Sequence, residues 1–304
     1  MANLPFKTIL HLSLLLTAIL FGASHSSAQT SIGGLSAVPI ESLSDRRISL
    51  LGSTALSIRR GDWKHAETAN FIYHYFDSFV ATPVSVEAEF YYRVISKELD
   101  RDTTQWERKS HIYIFQSPSD WAEFQRKASL DPWTGGIHCD NDLFVIRNPE
   151  FKFKGNALGH EVSHLILHRF FGNGIPLWLN EGFAEYSSRV AYSSFMRARG
   201  YSARPTSPSI LQADLIPLNT LGEMVTYPSD EKQVDTFYLQ SEKLVRFLVK
   251  EDKAKFIQFL DLMSKGNRFD SALWKSYGGR FGSLEMLQSE FKTFASKDSA
   301  ITPN

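Results

Sequence analysis

One stretch combines residue types and spacing that can do chemistry: Leu158-Gly159-His160-Glu161-Val162-Ser163-His164. On a helix, His160 and His164 stack one turn apart on the same face and can grip a single ion. Glu161 then lies about 100° around the axis from His160. There it flanks the ion without binding it, where a general base for a metal-bound water would stand. Two imidazoles and a carboxylate suit zinc. The neighbours Ala157, Leu158, Val162, Leu165, Ile166 and Leu167 make the helix a buried one. A solvated helix with two incidental histidines does not fit such flanks, because buried imidazoles and a buried carboxylate need partners.

A third ligand is required. His168 is a further four residues on, but about 12 Å along the axis from His160, too far for one ion, and it reads as structural. A third-histidine pattern of the metzincin kind fails as well, because Leu167 stands where a glycine is needed and Phe170 where the histidine is needed. The better candidate is Glu181, in Trp178-Leu179-Asn180-Glu181-Gly182-Phe183-Ala184-Glu185-Tyr186, with sixteen residues between it and His164. A break at Phe171-Gly172-Asn173-Gly174 separates the two segments, and two helices joined by such a turn can pack face to face. Glu185 falls one turn beyond Glu181 on the same face. It could accept a hydrogen bond from the free N–H of a ligating histidine and so fix its tautomer.

The elements that must position these residues are readable in outline. Residues 29–62 are rich in serine, glycine and small residues and read as an extension or linker with one short helix near Ile48–Ile58. Phe71–Phe76 and His111–Phe115 are β-branched and aromatic, hence strands. Val84, Ala88, Tyr91, Ile95 and Leu99 recur at helical spacing between them. Pro118 opens a short helix carrying Trp121 and Phe124, and Gly135–Ile146 reads as a hairpin turning near Asp140–Asp142. Ala157–Phe171 is helical, and Pro176 opens a second helix to about Arg197. Residues 201–235, with Pro205, Pro208, Pro217 and Pro228, read mostly as loop. Helices follow at Tyr238–Lys250, Lys255–Ser264, Phe269–Tyr277 and after the N-capping Ser283.

Composition narrows the function classes. The chain has 304 residues, 43% hydrophobic and 22% charged, an ordinary globular balance. Lys+Arg and Asp+Glu are 33 each, so no charge excess points to nucleic acid or an anionic membrane. The single cysteine, Cys139, excludes an internal disulfide framework and reads as a small buried hydrophobe. The chain carries no G-x-S-x-G elbow, P-loop or dinucleotide fingerprint. Met1–Lys7, the apolar Thr8–Ala23 and the small residues Ser26 and Ala28 have the layout of a secretory signal, with cleavage expected after Ala28. The expectation is a secreted or periplasmic protein without a stable membrane anchor after cleavage.

The H-E-x-x-H and N-E-G-F-A-E-Y motifs together resemble the gluzincin clan of zinc peptidases, which includes thermolysin-like enzymes and the large zinc aminopeptidases. Within it the chain is most similar to compact bacterial peptidase MA-like domains, over about residues 65–295. The resemblance implies His160, His164 and Glu181 as ligands of one zinc ion and Glu161 as general base, with Glu185 where thermolysin-like enzymes carry a supporting carboxylate. It implies a tyrosine that donates to the oxyanion; Tyr238 in Phe237-Tyr238-Leu239-Gln240-Ser241 matches that position, with Tyr227 and His138 as alternatives. It also implies substrate binding by strand addition at a sheet edge, for which the strand containing Gly135, Gly136 and Ile137 fits, although the glycines could equally shape a bulge. The exopeptidase motif G-x-M-E-N is absent, the corresponding strand reading W-T-G-G-I-H-C, so endopeptidase activity is expected over aminopeptidase activity.

These readings combine into an α+β, zincin-like fold: a small N-terminal mixed sheet, two zinc-bearing helices and a C-terminal helical part. The expected divisions are a signal peptide at 1–28, an extension at 29–62, a core at 63–200, a loop and helical subdomain at 201–296 and a tail at 297–304. The expected function is zinc-dependent peptide hydrolysis on a peptide or protein substrate. A zinc-bound binding or scaffold protein and a narrow-substrate metal-dependent amidohydrolase are the rival readings.

Overall fold

The computed structural model describes residues 34–101, 108–132, 134–148, 157–202, 206–297 and 299–300. The expected signal peptide lies outside these residues. The architecture is α+β. The chain enters through a short 3₁₀ turn at Ile40–Ser42 and helix α1 (Leu50–Ser57), whose first turn is capped by Ser49 Oγ accepting from Gly52 N at 2.9 Å. Strands β1 (Lys64–Glu67) and β2 (Phe71–Tyr75) follow, then α2 (Ser78–Glu98), β3 (Ser110–Phe115), α3 (Pro118–Ala128) and the hairpin β4 (Gly136–Cys139) and β5 (Asp142–Ile146).

The five strands form one sheet in the order β1-β2-β3-β5-β4. β2, β3 and β5 are parallel to one another, while β1 and β4 pair antiparallel at the two edges. Side chains alternate across the sheet plane. Ile112, Ile114, Leu143 and Val145 join a large core with α2 and the helices that follow, whereas Tyr113, Phe115, Phe144 and Ile146 pack with Trp121 and Phe124 on the opposite face. With both faces covered, the three inner strands are wholly buried, which is why they read as near-continuous apolar runs.

Residues 34–62 are built into the fold rather than forming the expected linker. Val38 bridges to His65 of β1, Ala55 and Ile58 lie in the second core, and Ser49 Oγ donates to Asp142 Oδ2 at 2.5 Å. Gly52 of α1 fits closely against Tyr113 of the sheet, where a β-carbon would collide with its hydroxyl.

Helices α4 (Ala157–Phe171) and α5 (Leu177–Ala198) pack against each other, α4 also covering β4 and β5. Gly172 turns the chain between them with φ +70°, a left-handed conformation that glycine adopts without a β-carbon penalty. The rest is helical: a 3₁₀ turn at Gln212–Asp214, then α6 (Leu218–Glu223), α7 (Glu231–Glu251), α8 (Lys253–Ser264), α9 (Phe269–Tyr277) and α10 (Leu284–Ala295). Two residues each at Thr206–Ser207 (β6) and Ser299–Ala300 (β7) pair antiparallel. Residues 201–235 are thus less open than expected, containing α6 and the first turn of α7. That helix starts seven residues before Tyr238 because Asp230 caps it, accepting from Gln233 N at 3.0 Å. α5 runs between α4 and α7 and is buried on most of its surface. A β-carbon on Gly182 would collide with the Ser241 carbonyl oxygen of α7, so glycine there sets how closely the two helices meet. Among the described residues no helix is long and apolar enough to cross a membrane.

Candidate active site

α4 carries His160 and His164 one turn apart, and α5 brings Glu181 against them. His160 Nε2 and His164 Nε2 are 3.0 Å apart. Glu181 Oε2 is 3.3 Å from the first and 3.6 Å from the second. These three atoms lie within 4.8 Å of one another, the distance range of ligands to one ion.

The far side of each ring explains why the Nε2 atoms are bare. His164 Nδ1 donates to Asn180 Oδ1 at 3.1 Å. His160 Nδ1 lies 3.3 Å from Glu185 Oε1, and Glu185 Oε2 in turn accepts from Arg189 Nη2 at 2.9 Å. A proton on His164 Nδ1 is held by Asn180, and the nearby Glu185 carboxylate favours one on His160 Nδ1, the tautomers in which both Nε2 lone pairs point at the same place. Glu181 Oε2 joins them, buried and without a hydrogen-bond donor. Three lone pairs converging out of water are costly unless a cation sits among them. The same demand shows in the titration: burial alone would push the His160 imidazole down, yet the Glu181 and Glu185 carboxylates outweigh it and raise it well above its ordinary value. Two imidazoles and one carboxylate, each supported from behind, fit a zinc ion.

Glu161 sits beside this cluster and is buried. Burial pushes its carboxyl above the usual range against the pull of His160 and His164, and it accepts the His138 backbone N–H. It rests on the sheet edge: a β-carbon on Gly136 would fall 3.0 Å from Glu161 Cγ and Oε1. Gly136 opens the edge strand β4, and Gly135 just before it accepts from Ile146 N at 3.5 Å.

Two tyrosines close the other side. Tyr227, between α6 and α7, donates its hydroxyl to Glu181 Oε1 at 2.7 Å. Tyr238 of α7 stacks on it with ring centres 5.8 Å apart and planes at 18°. Burial, then the charges of Glu181, Glu185 and Glu161, raise the Tyr238 phenol, so it stays protonated and able to donate.

Of the expected site residues, Glu161, Tyr238, His160, His164, Glu181, Glu185 and Gly136 are thus gathered in one place, and Gly135 adjoins them. His138 borders the site, its ring 6.4 Å from that of His164, but its Nε2 is engaged, donating to Asp140 O at 2.9 Å. The His168 ring lies against His138, 5.6 Å centre to centre, and outside the converging trio. Cys139 packs on the second core, its thiol pushed up by burial, the opposite of an activated nucleophile. Asn180 and Arg189 are site residues to which the motifs assign no role. Asn180 directly precedes Glu181, and Arg189 lies one turn beyond Glu185.

A sequence model of the Peptidase MA superfamily matches residues 95–295, about two thirds of the chain. The chain belongs to the Peptidase MA superfamily. The matched span of this superfamily member begins near the end of α2 and includes β3, the β4–β5 hairpin, α4, α5 and every later helix through α10. All the residues gathered at the site fall within it. Membership points to a metallopeptidase-type hydrolase acting on peptides or proteins. A search of curated proteins found no match.

Proposed function

We propose that the protein is a zinc-dependent endopeptidase of zincin-like architecture. The observation that carries this reading is the bare, buried Glu181 Oε2 facing the two Nε2 lone pairs of His160 and His164. These three residues would hold one zinc ion. When bound, zinc supplies Lewis acidity, lowering the pKa of water from about 15.7 to about 7 and polarising a carbonyl.

The chain's own groups do the rest. Glu161, its carboxyl already raised by burial, takes the proton from the attacking water and returns it to the departing amine nitrogen. Tyr238 donates its hydroxyl to the carbonyl oxygen as that oxygen gains negative charge. Asn180 and Glu185 keep the Nδ1 protons in place, so both histidines present Nε2 throughout. Among the described residues β4 is an edge strand of the sheet, and a peptide added there in extended form would pass beside Glu161. That mode suits an internal segment of a chain. The N-terminal sequence supports export to the periplasm or beyond, with the chain starting at Gln29; N-terminal sequencing of the exported protein that began at Met1 would refute cleavage.

The test is cleavage of a proteome-derived peptide mixture by residues 29–304, read by mass spectrometry. Internal cuts that a chelator abolishes and added zinc restores are the expected result. A folded, zinc-loaded protein that makes no cuts would refute a general endopeptidase and favour a narrow-substrate hydrolase or a zinc-stabilised binding protein.

A further inference from the structure

The Glu181 carboxylate is divided between two tasks. Oε2 faces the histidines without a donor, while Oε1 is occupied by the Tyr227 hydroxyl at 2.7 Å. Tyr227 is well held for this: Phe237 meets its ring edge-on at 5.8 Å and 85°, and Tyr238 stacks on its face. Both partners belong to α7, so the phenol is clamped although it is 46% exposed. An ionised carboxylate can only accept, so the Tyr227 proton must point at Glu181.

We propose that Tyr227 is a positioning residue that makes Glu181 a one-oxygen metal ligand, so that the segment between α6 and α7 is part of the metal centre. The proposal rests on the zinc reading above. Without the phenol, Oε1 is free, and the carboxylate can rotate, offer both oxygens or turn away from the two Nε2 atoms. Groups that hold a ligand from behind are commonly worth about 10- to 100-fold in metal affinity. Tyr238, which meets Tyr227 ring on ring, acts on the position of Glu181 only through that stacking, and its loss should cost far less affinity.

The experiment measures zinc affinity by chelator competition for the wild type, Tyr227→Phe and Tyr238→Phe, with circular dichroism of each zinc-free protein as the folding control. The expected result is a fall of about 10- to 100-fold for Tyr227→Phe and no more than about threefold for Tyr238→Phe. Absorption of the cobalt-substituted proteins gives a second readout, because a changed oxygen count at Glu181 alters the visible bands; Tyr227→Phe should change them. Should Tyr227→Phe disturb the fold, Tyr227→His, which keeps a ring and a donor, should recover part of the affinity. A Tyr227→Phe protein with wild-type affinity and spectrum overturns the proposal, and a loss of turnover at saturating zinc would then make Tyr227 the oxyanion donor. Equal losses in the two phenylalanine variants also overturn it, because packing of the ring pair would be responsible. A wild type that takes up no zinc defeats the zinc reading itself, and this proposal with it.

Discussion

Gly136 and Glu161 touch across the join between sheet and helix: a β-carbon on Gly136 would stand 3.0 Å from the Glu161 side chain at both Cγ and Oε1. The sheet edge and the proposed base are therefore a single construction. Gly136→Ala should force the carboxylate to shift by a few tenths of an ångström while leaving His160, His164 and Glu181 untouched. The expected outcome is roughly 10- to 100-fold lower kcat/KM with unchanged zinc content, measured on one peptide substrate. Wild-type turnover in the alanine variant would show that this contact does not set the base.

Asn180 holds the Nδ1 proton of His164. Asn180→Ala leaves that proton without its acceptor and lets the ring turn or change tautomer. Zinc affinity should fall about 10- to 100-fold, read by chelator competition. Asn180→Asp keeps the acceptor and should retain most of the affinity.

Tyr238 lies within reach of the charge of three site carboxylates but is not needed to hold an ion. Tyr238→Phe should keep fold and metal content and lose about 10²-fold in kcat, with little change in KM. A change in KM alone would mean that the ring binds substrate without serving the oxyanion.

A second histidine group lies in the sheet, away from the site. His65 Nδ1 and His74 Nδ1 are 2.8 Å apart, and His74 Nε2 and His111 Nδ1 are 2.9 Å apart. His74 and His111 are fully buried. Burial pulls His111 down to about 4 from an ordinary 6.5, and burial with the neighbouring His111 and His65 holds His74 well below its ordinary value. The unfolded chain therefore takes up protons below about pH 6.5 that the folded chain refuses, so stability is full above that pH and falls toward pH 4. His111 alone accounts for about 3 kcal/mol across that window. Urea midpoints at pH 7.5 and 4.5 test this: the wild type should weaken markedly, and His111→Gln should show a smaller pH dependence.

Much of this arrangement is legible in the sequence, for reasons that differ by residue. β2, β3 and β5 are buried on both faces and so carry unbroken β-branched and aromatic runs. That His160, His164 and Glu181 meet follows from helical spacing on α4 and one glycine-marked break before α5. Other features were hidden. Lys64-His65-Ala66-Glu67 has no apolar alternation and becomes β1 only by pairing with β2. The first turn of α7 is polar, with Val234 and Phe237 the only apolar residues before Tyr238, so the apolar spacing marks the helix from Tyr238 rather than from Glu231. Asn180 and Tyr227 gain meaning only from which nitrogen or oxygen they face. The Tyr227 bond spans 46 positions, which no local pattern records.

The central claim is that one buried trio holds the metal and a separate carboxylate moves the proton. The most direct test is zinc content and turnover measured side by side for the wild type, Glu161→Gln and Glu181→Gln. The expected result is one tightly held ion and activity in the wild type, one ion and no activity in Glu161→Gln, and loss of both in Glu181→Gln. Near-normal turnover by zinc-loaded Glu161→Gln would contradict it.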